Sequence, residues 1–128
     1  MKIVVLKFGG TSVGTIEKIK KVTDIIIEHK KKKNKVIVVS SAMSGVTNDL
    51  IKKSKQISNN FIDSEYDVLV SSGEQVACSL IAGRLNHKGF KSRSWLGWQI
   101  PIFTDGPYTN SRIQQVNKNK LLRFLKEG

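Results

Sequence analysis

Cysteine and histidine are scarce in this chain of 128 residues, with one Cys and two His. A lone Cys78 makes no internal disulfide, so a cysteine-stapled scaffold is excluded. Cys78 with His29 and His87 has no metal-ligand spacing, and no protein metal site is expected. Cys78 falls in an apolar helical pattern and reads as a small buried residue. Long hydrophobic runs are also missing. The longest, Ile3–Leu6 and Val36–Val39, are strand-sized and far below the ~20 residues that span a bilayer. Met1-Lys2 ahead of four apolar residues is too short for a signal peptide. A soluble, cytoplasmic protein without a membrane partner is expected. Aromatic residues make up only 7%, and none are interleaved with basic residues as base stacking requires. The net charge of +12, from 22 Lys and Arg against 10 Asp and Glu, therefore reads as a solvated lysine-rich surface. A nucleic-acid partner is not expected, although a basic nucleic-acid-binding module is the remote alternative. The block Lys30–Lys33 suits the C-terminus of a helix, where cations are favoured.

What is present is enough for one packed domain, with 39% hydrophobic residues. Ile3-Val4-Val5-Leu6 is a continuous β-branched run, as expected of a parallel strand buried on both faces. Ile16, Ile19, Thr23, Ile26 and Ile27 then recur with a helical period, and charged residues fall mainly between them. Lys33-Asn34 ends that helix, and Val36–Val39 is a second buried strand. Strand, helix and strand make a right-handed crossover. Thr47 is placed as the cap of a helix through Leu50, Ile51, Ser54 and Ile57. Ser64 with Asp67 opens another, whose buried side carries Leu69, Gly73, Val76, Ala77, Leu80, Ile81 and Leu85 and which Gly89 stops. Lys91–Trp95 and Ile100–Thr104 are weaker strands, and Asp105-Gly106-Pro107 is a turn. Asn117 caps a last helix that ends at Gly128. The pattern predicts an α/β fold of three α/β/α layers with a mainly parallel, incomplete sheet.

Three segments carry chemistry. Lys7-Phe8-Gly9-Gly10-Thr11-Ser12 lies where the first strand ends, and ligands of open α/β sheets bind beyond the carboxyl ends of strands. Glycines let backbone N–H groups approach a phosphate, Lys7 adds a point charge, and Thr11 and Ser12 add hydroxyls. The spacing is not that of a Walker loop. Ser40–Leu50 follows the second strand at the same edge, and its helix start favours a carboxylate or phosphate. Ser71-Ser72-Gly73-Glu74 places a costly glycine inside a helix, which points to close packing or to a break that presents Glu74 to an ammonium group. Gly97-Trp98-Gln99 is a fourth loop, with Trp98 read as structural. Singly, each has an ordinary explanation as a turn, a strand-to-helix connection or a helix surface.

Together, Lys7–Val13, Ser41–Asn48, Ser72–Glu74 and Gly97–Gln99 resemble the aspartate kinase family in order and spacing, over essentially all 128 residues. Lys-x-Gly-Gly is shared with the wider amino-acid kinase superfamily. The Thr-Ser-Val continuation and the second and third motifs narrow it. The resemblance implies ATP-dependent phosphorylation of the L-aspartate side-chain carboxylate, with Mg²⁺ entering as the ATP complex. It implies that Lys7 contacts the transferring phosphoryl, that Gly9, Gly10, Thr11 and Ser12 line the phosphate cradle, and that Thr47 and Glu74 bind aspartate. It also implies that residues 1–128 are the N-terminal portion of the kinase domain. The family's later Arg–Ser–Asp segment, adenine pocket and regulatory domains are not in this sequence. Self-association or a complementing C-terminal chain is then expected, with a non-catalytic remnant as the alternative.

Overall fold

The computed structural model describes residues 2–127. Strand β1 (Ile3–Phe8) pairs in parallel with β2 (Lys35–Ser40), Ile3 opposite Lys35 and Phe8 opposite Ser40. Helix α1 (Ile16–Lys31) forms the crossover between them. The Thr15 hydroxyl caps α1 by accepting from the Lys18 N–H at 3.2 Å. Its last turn carries His29, Lys30 and Lys31, and Lys33 takes a φ of 60° just beyond. Lys30 and Lys31 thus lie against the negative end of the helix dipole.

Period-two alternation divides the sheet into two unlike faces. Leu6, Phe8, Val36 and Val38 pack against a core of Val13, Ile19, Val22, Ile26, Ile81 and Leu85. On the opposite face Val5 is 60% and Val39 48% exposed. The expectation that β1 is buried on both faces is therefore corrected: the helices cover one face among the described residues.

Helix α2 (Val46–Ile57) begins three residues past Met43, with Gly45 at its cap in the left-handed region (φ 82°). Thr47 lies inside the first turn, so its placement as the cap is corrected; a left-handed turn here favours glycine. Helix α3 (Asp63–His87) likewise starts before Ser64, with Ile62 at the cap. It runs unbroken through Gly73 to Lys88, and Gly89 follows with φ 80°. Residues 91–95 form no strand. Ile102–Asp105 (β3) pairs antiparallel with Arg112–Val116 (β4), with a bulge between Phe103 and Thr104. The described residues thus hold the expected parallel sheet, β1–β2, and a separate antiparallel hairpin. Asn117 caps α4 (Lys118–Glu127) as expected, its side-chain oxygen accepting from the Lys120 N–H at 3.1 Å. Gly128, expected at the end of that helix, lies outside the described residues. Among those residues no helix is long and apolar enough to cross a membrane.

A polar clamp joins α1 to α3. Thr23, fully buried, donates its hydroxyl to the Lys20 carbonyl at 2.7 Å and accepts from Arg84 Nε at 2.6 Å. Arg84 Nη2 also meets Asp24 Oδ1 at 3.0 Å. Removing the guanidinium leaves Thr23 its bond to Lys20, so Arg84→Ala is expected to destabilise the chain by only ~1–2 kcal/mol. A fall in the urea midpoint at unchanged m-value would show it.

Candidate active site

Both parallel strands end in loops on the same side, and these loops touch. The first runs from Gly9 to Thr15 and is closed by the Ser12 N–H donating to the Gly9 carbonyl at 2.9 Å. Val13, with 0% exposure, anchors it in the core. The second, Ser41–Gly45, follows β2. A Cβ added to Gly10 would stand 3.0 Å from the Ala42 carbonyl oxygen, and one on Gly14 would stand 3.0 Å from Ser44 Cβ. Glycine at these positions lets the two loops lie in close contact. Neither Gly9 nor Gly10 has a positive φ, and a Cβ on Gly9 would meet nothing within 4 Å.

Helix α3 closes the third side. A Cβ on Gly73 would lie 3.0 Å from Ala42 Cβ and 3.2 Å from Val46 Cγ1. Of the two readings offered for this glycine, close packing is the one found. One residue on, Glu74 Oε1 accepts from the Ala42 N–H at 3.2 Å. That bond joins positions 32 residues apart and fixes the second loop to the helix.

Around these contacts lies a cavity of about 360 Å³, lined by Gly10, Thr11, Ser41–Gly45, Thr47, Asn48 and Glu74. Four of the expected residues, Gly10, Thr11, Thr47 and Glu74, therefore meet. Gly9 and Ser12 lie in the same turn but do not line the cavity. Lys7 is the penultimate residue of β1 and exposed, on the open face shared with Ile3 and Val5. Ser41, Ser44 and Asn48 also line the cavity, though only the segment as a whole, and not these side chains, stands out in the sequence. The backbone N–H groups of Thr47 and Asn48, in the first turn of α2, take no backbone acceptor among the described residues. Donors of this kind at the positive end of a helix dipole suit a carboxylate or a phosphate.

Glu74 is the charged side chain of the cavity lining, and Asp49 and Lys53 follow on α2. Asp49 is held below the usual carboxylate range by its hydrogen bond with Lys53, 2.8 Å away, and by that lysine's charge. Cys78 lies one turn beyond Glu74, and its thiol is pushed up first by burial and then by the Glu74 charge. Its half-buried position corrects the expectation of a small buried residue. No group of three or more His, Cys, Asp or Glu side chains among the described residues could hold a metal ion. A larger space of about 890 Å³ runs along the outer edge of β2, past Val36, Val38, Ile81, Phe90 and Trp95. Its wall mixes core side chains such as Ile26, Ile81 and Leu85 with polar and charged ones, Lys30, Glu74 and Arg93 among them, and the loops Gly9–Ser12 and Ser41–Gly45 do not line it. Trp98, expected to be structural, borders this space and is 68% exposed.

Comparison with known proteins places this geometry. The amino acid kinase family profile matches residues 2–128. The chain is 46% identical over 128 residues to an aspartokinase of Geobacillus stearothermophilus, covering all of this chain and 31% of that protein. It is 43% identical over 128 residues to an aspartate kinase of Pseudomonas putida, again covering all of this chain and 31% of that protein. The chain thus spans about 31% of the length of the curated relatives it matches. Among solved structures, aspartate kinase from Synechocystis superposes with a TM-score of 0.66 at 42% identity, over 69% of this chain and 15% of that one. Aspartokinase III of E. coli, solved with aspartate and ADP, superposes with a TM-score of 0.80 over all of this chain and 39% of that one. At 20% identity this second likeness speaks for the fold alone.

Proposed function

This chain belongs to the amino acid kinase family, and we propose that it supplies the acceptor site and first phosphate loop of a cytoplasmic, ATP-dependent aspartate kinase. The observation that carries the reading is the convergence of Gly10-Thr11, Ser41–Gly45, Thr47 and Glu74 on one cavity at the strand ends. The relatives at 43–46% identity are aspartokinases, which narrows the family reading to that activity. In the reaction an oxygen of the L-aspartate side-chain carboxylate attacks the γ-phosphorus of ATP. The new bond is that oxygen to phosphorus, the β–γ bridging bond breaks, and ADP leaves with the electron pair. The product, 4-phospho-L-aspartate, opens the route to lysine, threonine, methionine and diaminopimelate.

The attacking carboxylate, with an ordinary pKa of ~3.9, is already an anion at neutral pH, so no general base is needed. The barrier lies in bringing one anion to another, and catalysis rests on positioning and charge neutralisation. The Thr47 hydroxyl and the first-turn amides of α2 receive a carboxylate. Glu74 takes the α-ammonium with whatever acceptor capacity Ala42 leaves free. The loop Gly9–Ser12 offers backbone donors to the phosphates, and Lys7 meets the transferring group. Mg²⁺, carried on the nucleotide, supplies further neutralisation of phosphate charge.

Glu74→Gln separates charge from architecture. The amide oxygen still accepts from the Ala42 N–H, while the negative charge is lost. In an enzyme made by joining this chain to the C-terminal remainder of an aspartate kinase, KM for aspartate is expected to rise. Loss of a charge-assisted bond of ~1.5–3 kcal/mol corresponds to roughly 10- to 100-fold. KM for ATP stays within about twofold, since the nucleotide does not meet this side chain. Equal rises in both constants would leave Glu74 a residue of the helix and loop only.

A further inference from the structure

Lys18 is the third residue of α1, at the positive end of the helix dipole, where a cation is disfavoured. Departures of this kind from local preference concentrate at functional sites. Its ammonium does not extend into solvent along the helix. It turns back seven residues and donates to the Thr11 carbonyl at 2.9 Å. The amide of the same peptide unit, Ser12 N–H, donates to the Gly9 carbonyl at 2.9 Å. The Thr11–Ser12 peptide is therefore held at both ends, and a planar unit so held cannot rotate without breaking a bond. The two preceding amides, Gly10 N–H and Thr11 N–H, take no backbone acceptor among the described residues. Both residues line the cavity at the strand ends.

We propose that Lys18 is a positioning residue of the phosphate loop: by fixing the Thr11 carbonyl it keeps the Gly10 and Thr11 amides presented to the phosphoryl oxygens of a polyphosphate. The inference deepens the reading of this site as a kinase phosphate loop and rests on it. Without the ammonium, the Thr11 carbonyl is free to turn its lone pairs toward the bound anion, replacing donors by an acceptor. The bond itself is solvent-exposed and adds little to the stability of the fold. A positioning role and a structural role thus predict different results.

The test uses the enzyme completed with the C-terminal remainder of an aspartate kinase, with inorganic tripolyphosphate as a probe that needs neither adenine nor aspartate. Lys18→Ala is expected to weaken tripolyphosphate binding, measured by calorimetry, and to raise KM for ATP, each about tenfold for loss of a charged hydrogen bond. KM for aspartate and the melting temperature stay unchanged. Lys18→Arg, which can reach the same carbonyl, restores both phosphate readouts. Unchanged tripolyphosphate affinity in Lys18→Ala, an arginine variant as poor as alanine, or a lowered melting temperature with both KM values raised would each overturn the proposal. Weakened tripolyphosphate binding in an enzyme that does not phosphorylate aspartate would support the loop assignment and sink the aspartate kinase reading instead.

Discussion

Lys7→Met, in this chain completed by the C-terminal remainder of an aspartate kinase, is expected to lower kcat by two to three orders of magnitude. Removing one donor aimed at developing charge costs about 3–4 kcal/mol of barrier. The acceptor carboxylate and the γ-phosphoryl are both anionic, so a cation between them is worth more in the transition state than in either separated ligand. Lys7 is suited to that place by the geometry of β1. It lies two residues before Gly9, at the carboxyl end of the strand, and its backbone is paired opposite Val39. The alternation that buries Leu6 and Phe8 turns Lys7 to the open face. Its flexible four-carbon stem can pass the strand end toward a ligand over the loops. Methionine keeps much of that stem and leaves the strand pairing intact, so the melting temperature should not move. A variant with near-normal kcat would remove Lys7 from the chemistry. A fall in kcat/KM carried by KM for aspartate alone would reassign it to ground-state binding.

Much of this arrangement is legible in the sequence because apolar periodicity reports burial. The runs Ile3–Leu6 and Val36–Val39 and the helical spacing of Ile16, Ile19, Thr23 and Ile26 find β1, β2 and α1 within a few residues. The length of a buried run does not reveal how many faces are covered, so the open side of β1–β2 is invisible until the helices are placed. Helix starts fail for a different reason. Thr47 and Ser64 are good capping residues by type, but the chain turns into α2 at Gly45, in the left-handed region, and into α3 at Ile62, and neither cap makes a side-chain hydrogen bond. Strand β4, Arg-Ile-Gln-Gln-Val, is exposed along its whole length. It has no buried face to impose an alternating pattern, and only its pairing with β3 defines it. Lys91–Trp95 shows the reverse. Expected as a weaker strand, with Trp95 its one strand former by type, it is held by side chains instead: Trp95 stacks on Phe124 with ring centroids 4.0 Å apart, and Arg93 lies 4.1 Å from the Trp95 ring centre.

For the site, strand ends were enough to bring the first two motifs together, since parallel neighbours finish on one side of a sheet. The partner of Glu74 was not legible. Nothing local to Ser72-Gly73-Glu74 indicates that its carboxylate bonds the Ala42 amide, 32 residues earlier. That contact depends on Gly73 admitting Ala42 and Val46 at close range. Gly73 is thus explained by its neighbour across the fold, and the helix continues through it despite the ~1 kcal/mol that glycine costs against alanine.

The polypeptide of residues 1–128 alone is expected to show no ATP-dependent phosphorylation of aspartate and to self-associate at micromolar concentration. Within the described residues β1 and β2 form a two-stranded sheet, so the outer edge of each strand is unpaired. Open edges are templates for pairing with other chains. On the uncovered face Ile3 is 41% exposed, beside Val5 and Val39, and a contiguous apolar face favours association. A parallel sheet ordinarily has both faces covered. Catalysis fails for a separate reason. In the proposed site the loop Gly9–Ser12 and Lys7 would offer contacts to phosphate only. Such exposed contacts are screened by salt, with a Debye length of about 8 Å at physiological ionic strength. The relatives that are aspartokinases are about three times longer, since this chain covers 31% of them. Supplying the C-terminal remainder, fused or as a separate chain, is expected to cover the open face, shift sedimentation to a defined species and yield hydroxylamine-trapped aspartyl phosphate. A monomer that melts cooperatively and forms aspartyl phosphate unaided would show that two strands with one covered face suffice, and would overturn this account of the open face. Association that persists unchanged after the C-terminal remainder is added would place the sticky surface elsewhere, on the exposed side of α3 at Val68 and Val76 or on the hairpin at Phe103 and Ile113.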